Sequence, residues 1–443
     1  MARGLLDQGL LLGLVSLIFG LAVGLCHLAR PEVPLPGVAL AEILGAFWGA
    51  HALLAGARRR GDPLLLPLAA LLCCLGWVMV WRLSPELGLK QATWILVGVA
   101  VFVAAARLPG DYRALEDYKY LFLLAGVLLQ AAVMIFGVEI NGARLWFRFG
   151  PVYFQPVEVL KVLLVVFLAA FLRQFRQWLR LGLLSREGRL PRRALLLLTL
   201  GWAAGEGVLV LQKDLGMALL LFGVFVAMFY ISTGRTDLVA ASGVLFLAGA
   251  WVCYGLFDHV RTRVLMWLDP FSDAQDRGFQ MVQALCALAW GGLDGTGLGL
   301  GRPDLIPEAH TDFVFVALGE ELGLLGAVAL LVAVMVLVAR AFRIALTAGD
   351  EFGTLLAAGL GTLLAWQTLV IVGGTLKLVP MTGITLPFMS YGGSSMLANF
   401  LVLGLLWRMA AAAEGRGADP AVAAPTAPGP DPARTGAPGA GEG

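Results

Sequence analysis

Apolar runs close to the ~20 residues that a bilayer requires recur along this chain, separated by short polar segments. Twelve can be drawn, at roughly 10–29, 37–56, 63–83, 91–106, 118–137, 157–173, 194–211, 215–232, 237–256, 312–339, 353–373 and 390–410, the fourth and sixth being the shortest. The pattern predicts an all-α fold, a polytopic membrane helix bundle of about 12 transmembrane helices. Polar residues concentrate in a few connections. One runs from Gly137 through Pro156, another is the tight Gln212-Lys213-Asp214, and a third is the long 257–311 segment. Within the last, Met281–Trp290 reads as a re-entrant or interfacial helix. A fourth, Thr375–Ser390, leads into Ser390–Ser395. The residues after Glu414 are Ala, Gly and Pro with few charges, a composition that predicts a disordered tail.

Composition agrees: 59% of residues are hydrophobic and 14% charged, as in an integral membrane protein. A formal net charge of +2 gives no sign of a nucleic-acid partner. The placement of basic residues says more. With the amino terminus inside, the cytoplasmic segments before the last span collect 17 Lys and Arg, seven of them in the Arg173–Arg193 loop and three at Arg58-Arg59-Arg60. The short outer loops hold seven and the 257–311 loop four. The positive-inside rule then sets the topology as N-in and C-in, with 257–311 external. The five cysteines lack metal-ligand spacing and read as small apolar residues. No cleavable signal peptide, strong internal repeat or nucleotide-binding glycine loop is present.

The stretch PEAHTDFVFVALGEELG at Pro307–Gly323 joins the polar loop to an apolar helix continuing to about Val338. Carboxylates in such places are costly and mark function by default. Asp312 reads either as a helix cap or as a general base at the water–membrane boundary, with burial raising its pKa. On a helical wheel Glu320 falls about 80° from Asp312 and Glu321 about 180°, so the two cannot serve one cavity, and one of them is expected to be structural. Glu158 and Lys161, three apart, make either a structural ion pair or a phosphate-binding cation with its orienting carboxylate. Arg144 and Arg148, beside Trp146 and Phe147, suit headgroup phosphate, whether ordinary membrane lipid or a lipid-linked substrate. Glu206, Glu42 and His51 are expected to make helix–helix hydrogen bonds.

Seven motifs occur in order: Asn141-Gly142-Ala143-Arg144-Leu145-Trp146; Phe154-Gln155-Pro156 with Glu158 and Lys161; Lys213-Asp214-Leu215-Gly216; Leu268-Asp269-Pro270-Phe271; Pro307-Glu308-Ala309-His310-Thr311-Asp312-Phe313; Gly319-Glu320-Glu321-Leu322-Gly323; and Ser390-Tyr391-Gly392-Gly393-Ser394-Ser395. Together they resemble the SEDS family, the RodA, FtsW and SpoVE proteins of bacterial wall synthesis, over about residues 63–410. Lys213 stands where the family commonly has Pro, and Val157 where it has Ser. Two spans precede the ten-helix core, as in the longer actinobacterial RodA-like members. The resemblance implies three parts: 1–62 with two extra helices, the core at 63–412, and a cytoplasmic tail at 413–443.

It also implies a multi-pass protein of the bacterial cytoplasmic membrane that polymerises lipid II and works with a class B penicillin-binding protein through transmembrane helices. Asp312 matches the essential aspartate. Arg144, Glu158 and Lys161 match polar residues of the substrate cavity, and His310, Asp214, Glu320 and Ser390 join the expected substrate-binding set. In an inverting glycosyl transfer, a sugar hydroxyl needs a carboxylate base, and a pyrophosphate leaving group needs positive charge from Lys, Arg or a divalent cation, Mg or Mn. No organic cofactor is implied. The competing expectation is a transporter that flips lipid II, which would place polar residues at the midplane of inverted repeats.

Overall fold

The computed structural model describes residues 2–56, 60–140, 142–181, 202–203 and 205–417. The helices are α1 (Ala2–Ala29), α2 (Gly37–Ala55), α3 (Leu65–Leu83), α4 (Pro85–Arg107), α5 (Lys119–Phe136), α6 (Val157–Leu181), α7 (Leu215–Thr233), α8 (Thr236–Leu256), α9 (Asp258–Leu268), α10 (Phe279–Gly291), α11 (Val314–Thr347), α12 (Glu351–Thr375) and α13 (Gly393–Gly417). Residues 205–211 are helical as well. Among the described residues ten helices are long and apolar enough to cross a membrane. They cover ten of the twelve apolar runs. The sixth run lies in α6, whose second half carries Arg173, Arg176 and Arg180. Half of the 194–211 run lies outside the described residues, as do Arg58, Arg59 and residues 182–193 of the Arg173–Arg193 loop.

α3 and α12 form the centre, each with 83% of its span buried. α12 packs on α11, α7 and α6, and α13 lies along α4. The two amino-terminal helices are docked, α1 on α3 and α2 on α4. Phe19 of α1 meets Trp77 of α3 edge-on at 5.6 Å, burying both rings. The expected pairing of His51 across helices is present: its Nδ1 lies 3.1 Å from Gln8 Oε1. At the other extreme, α8 has no buried residue.

Three sequence expectations need correction. The 137–156 connection contains an antiparallel sheet of order β1-β2-β3, with β1 Val138–Ile140, β2 Ala143–Phe149 and β3 Val152–Phe154. Val138-Glu139-Ile140 and Phe147-Arg148-Phe149 alternate apolar and polar positions with the period of a strand. The last helix runs to Gly417, so residues 413–417 belong to it and only 418–443 lie outside the described residues. Finally, α11 begins at Val314, and Asp312 precedes it. The helix breaks at Gly323, whose φ of 67° and ψ of −172° leave the helical region. Glycine takes that conformation without steric cost. The freed backbone groups pair with the loop after α10: Thr296 and Gly297 donate to the carbonyls of Glu320 and Glu321, while Leu324 and Leu325 donate to those of Gly292 and Leu293.

Candidate active site

Asp312 sits in the turn that delivers the chain into α11. Glu308, with a positive φ of 55°, makes the turn, and its carbonyl accepts from the Asp312 N–H at 3.1 Å. Ser390–Ser395 hold this turn from the other side. Ser390 Oγ donates to Thr311 O at 2.5 Å, and the Tyr391 N–H donates to His310 O at 2.8 Å. His310 also packs edge-on against Tyr391 at 5.8 Å, and its imidazole pKa is lowered, first by burial. Residue by residue, then, His310, Thr311 and Asp312 are fixed through their backbone carbonyls or amides, while the Asp312 carboxylate shares a hydrogen bond with Thr311. It does not cap α11, since the N-cap Phe313 has no side-chain cap bond. The capping reading is therefore set aside.

Burial raises the Asp312 carboxyl from 3.8 to about 6, helped by the nearby Glu308 charge and opposed by Arg263 and by a hydrogen bond with Thr311. Arg263 of α9 is the residue that the sequence did not single out. Its Nη1 donates to Thr382 O at 3.1 Å. A Cβ placed on Gly383 would lie 3.5 Å from Asp312 Oδ2 and 3.6 Å from Arg263 Nη2, so the carboxylate and the guanidinium flank one small gap. Its only sequence signal was its position five residues before the Leu268-Asp269-Pro270-Phe271 motif.

Arg263 also acts on Asp214. That residue caps α7 with Oδ1, accepting from Met217 N–H at 3.2 Å, while its buried Oδ2 has no partner. Burial lifts its carboxyl to about 6; the Met217 N–H and Arg263 lower it, and Glu158 raises it. Glu158 and Lys161 form a fully enclosed pair at 2.5 Å, and Lys161 Nζ also donates to Gln367 Oε1 at 3.0 Å. Gln367 in turn donates to Thr385 O at 2.7 Å, and Thr385 Oγ1 meets Ser395 Oγ at 2.7 Å. A continuous polar seam thus links Lys161 on α6 to the segment that holds Asp312.

Two expected site residues lie elsewhere. Arg144 is on exposed β2, paired with Glu139 at 3.3 Å. Glu320 is buried, with Oε1 accepting from Arg302 N–H at 2.7 Å. Glu321 accepts from Gly299 N–H at 3.0 Å and pairs with Arg82 at 2.8 Å, both side chains at most 3% exposed. The helical-wheel separation of the two glutamates fails because Asp312 is off the helix and the 292–302 loop wraps both carboxylates. Among the described residues no group of three or more His, Cys, Asp or Glu converges to hold a metal ion. The donors for the expected Mg or Mn are not assembled, and no step below passes through a cation of that kind.

A bundle of apolar helices long enough to cross a membrane, with the Asp312 carboxylate and the Arg263 guanidinium at the end of one of them, defines a polytopic membrane protein. Residues 63–415 match the family described as cell cycle protein, that of FtsW, RodA and SpoVE. The chain belongs to this family and is a multi-pass protein of the bacterial inner membrane. It is 44% identical over 368 residues to a protein named peptidoglycan glycosyltransferase RodA from Mycobacterium tuberculosis, covering 79% of this chain and 77% of the relative. It is 34% identical to a probable peptidoglycan glycosyltransferase FtsW of Geobacter metallireducens, covering 80% and 96%. Among solved structures it resembles a chain from a study of how a peptidoglycan synthase complex coordinates polymerization and crosslinking, with TM-score 0.67, 31% identity and coverage of 81% and 99%. It also resembles the rod shape determining protein RodA of Thermus thermophilus, with TM-score 0.56, 30% identity and coverage of 79% and 96%.

Proposed function

We propose that this chain is a peptidoglycan glycosyltransferase that polymerises lipid II, with Asp312 as general base. The names of its relatives support the activity. The observation that carries the assignment of the base is the Asp312 carboxylate, poised at about 6 and facing Arg263 across Gly383. The acceptor hydroxyl gives its proton to Asp312 as its oxygen bonds to the anomeric carbon. The bond from that carbon to the undecaprenyl pyrophosphate oxygen breaks, and the leaving group keeps the electron pair. A base with a pKa near 6 is ionised at neutral pH yet basic enough to accept the proton, the compromise general-base catalysis requires. Arg263 supplies positive charge beside the reacting centre, where pyrophosphate charge develops.

Glu158 and Lys161 enter this reading as the cation and carboxylate on the far side of the seam. In this conformation they are spent on one another, and substrate engagement requires the seam to open. Arg144 on its exposed hairpin is placed to meet a lipid-linked substrate at the surface. A class B penicillin-binding protein is the proposed partner, and α8 offers it the least occupied helix. Val244, Leu247 and Trp251 are 69%, 68% and 79% exposed, and Ala240, Ala241, Ser242 and Gly243 allow close helix approach. The 257–311 segment and Asp312 are taken to face outward. The decisive experiment is polymerisation of lipid II by the purified chain, with and without its partner. Wild-type protein that yields no polymer but moves lipid II across vesicles would establish the flippase alternative.

A further inference from the structure

The two amino-terminal helices precede the matched segment 63–415, yet they are not a loose addition. The chain leaves α1 in a tight turn: Arg30 N–H donates to Cys26 O at 2.9 Å, Val33 N–H donates to Arg30 O at 3.1 Å, and His27 Nδ1 lies 3.0 Å from Val33 O. This turn aims the Arg30 guanidinium at the strap between α10 and α11. Arg30 Nε donates to Gly299 O at 3.2 Å and Nη2 to Gly301 O at 3.4 Å, while Asp304 Oδ1 lies 3.8 Å away. The backbone contact is as close. A Cβ on Gly299, where φ is +84°, would come within 2.8 Å of Ala29 Cβ.

The same two carbonyls are held from inside the bundle by Arg82 Nη2, at 2.7 Å to Gly301 O and 3.4 Å to Gly299 O. Arg82 is committed to the buried Glu321 pair, so it anchors the strap to the core. Arg30 grips the outer side. Downstream the path to Asp312 is short and stiff. The Arg302 N–H is fixed by Glu320, Pro303–Leu305 forms a 3-10 turn, and Ile306, Ala309 and Phe313 are buried together. A shift of the strap at residues 299–301 has little slack in which to dissipate before it reaches the base.

We propose that α1 and the turn that follows it are a built-in brace for the catalytic strap, with Arg30 as a positioning residue for Asp312. The proposal rests on the glycosyltransferase reading. A guanidinium is the group that suits the task, because its fixed fork can donate to two carbonyls at once, whereas an ammonium offers a point charge. Sub-ångström placement of a base is where such support acts, through turnover more than through substrate affinity.

The test uses the full chain in lipid nanodiscs, comparing wild type with Arg30→Ala, Arg30→Lys and Gly299→Ala. Lipid II polymerisation is read as kcat and KM, thermal stability as Tm, and strap order as hydrogen exchange of the 299–312 amides. Arg30→Ala should lower kcat on the order of tenfold with KM and Tm near wild type, and should speed exchange in the strap. Arg30→Lys should recover part of the loss, and Gly299→Ala, whose Cβ would press on Ala29 and strain a backbone at φ +84°, should also lower kcat and speed strap exchange, together with a fall in Tm. Wild-type kcat with wild-type exchange in Arg30→Ala would overturn the brace, as would a loss of activity in that variant that merely follows a fall in Tm. Should the wild-type chain make no polymer, the glycosyltransferase reading falls, and exchange in the strap alone still decides whether Arg30 orders it.

Discussion

Ser390 Oγ donates to the carbonyl of Thr311 at 2.5 Å, one residue before Asp312. The same hydroxyl accepts from Leu386 N–H at 2.9 Å, so a single buried serine ties the segment after α12 to the turn before α11. Ser390→Ala leaves a carbonyl and an amide without their partner. A cost of about 1–3 kcal/mol is expected. Polymerisation should fall more than thermal stability does, because the freed turn carries the base. Parallel melting curves and initial rates would show this; equal rates with reduced stability would confine Ser390 to architecture.

Asp312→Asn keeps the size of the side chain and removes its basicity. Lipid II polymerisation should drop on the order of 10²-fold or more, with the fold and partner binding retained. Near-normal polymer from the folded variant would refute the general-base role. Wild-type activity should also decline as pH falls through about 6, where Asp312 takes up its proton. A rate unchanged between pH 7.5 and pH 5 would point to another base.

The same carboxylate should weaken the fold. Its pKa is raised on folding, from 3.8 to about 6. The penalty for holding it ionised is therefore absent below the unfolded value, grows between the two, and is complete above about pH 6. Asp312→Asn escapes that penalty. The variant should be more stable than wild type at pH 7.5, by roughly 1–3 kcal/mol, and close to it near pH 4. Thermal unfolding in detergent at the two pH values measures the difference.

Arg82 and Glu321 form a pair that water does not reach. Removing one partner strands the other charge, so Arg82→Ala or Glu321→Ala should each cost about 3–5 kcal/mol. The double variant should cost less than the sum of the two. A strictly additive cycle, read from chemical or thermal unfolding, would show that the two side chains do not depend on each other.

Bulky substitutions at Ala240 or Gly243 on α8 should reduce co-purification with a class B penicillin-binding protein, with the intrinsic polymerase rate unaltered. Unchanged complex formation, with losses arising from another helix, would move the proposed interface.

How much of this could be read from residues alone follows from the physics of each part. The spans were legible because bilayer thickness imposes a length on every apolar run, and among the described residues ten of the twelve coincide with helices long and apolar enough to cross a membrane. Asp312 stood out because a carboxylate at the head of an apolar helix reads as either a cap or a base, and the cap falls away because Phe313 holds the N-cap position without a side-chain bond. Its relation to Glu320 and Glu321 was not. The wheel assumed one helix from Asp312 onward, whereas the helix starts at Val314 and breaks at Gly323. Arg263 escaped notice because its role depends on α9 folding back to Thr382 and Gly383, a tertiary contact that local spacing does not encode. The same holds for Arg30, which meets its carbonyls across 269 residues of sequence.

The break at Gly323 sets a height. Leu324–Ala339, the apolar stretch before Arg340, reaches ~24 Å at 1.5 Å per residue, short of the ~30 Å of hydrocarbon until the residues before the break are added. The piece from Val314 to Leu322 adds a pedestal of ~13 Å above that span. On the proposed reading, with Asp312 facing outward, the base then stands in the polar layer, level with sugars and pyrophosphate instead of acyl chains. A growing glycan could then be extended without any sugar entering the oil, while the prenyl tail of the donor stays behind in it.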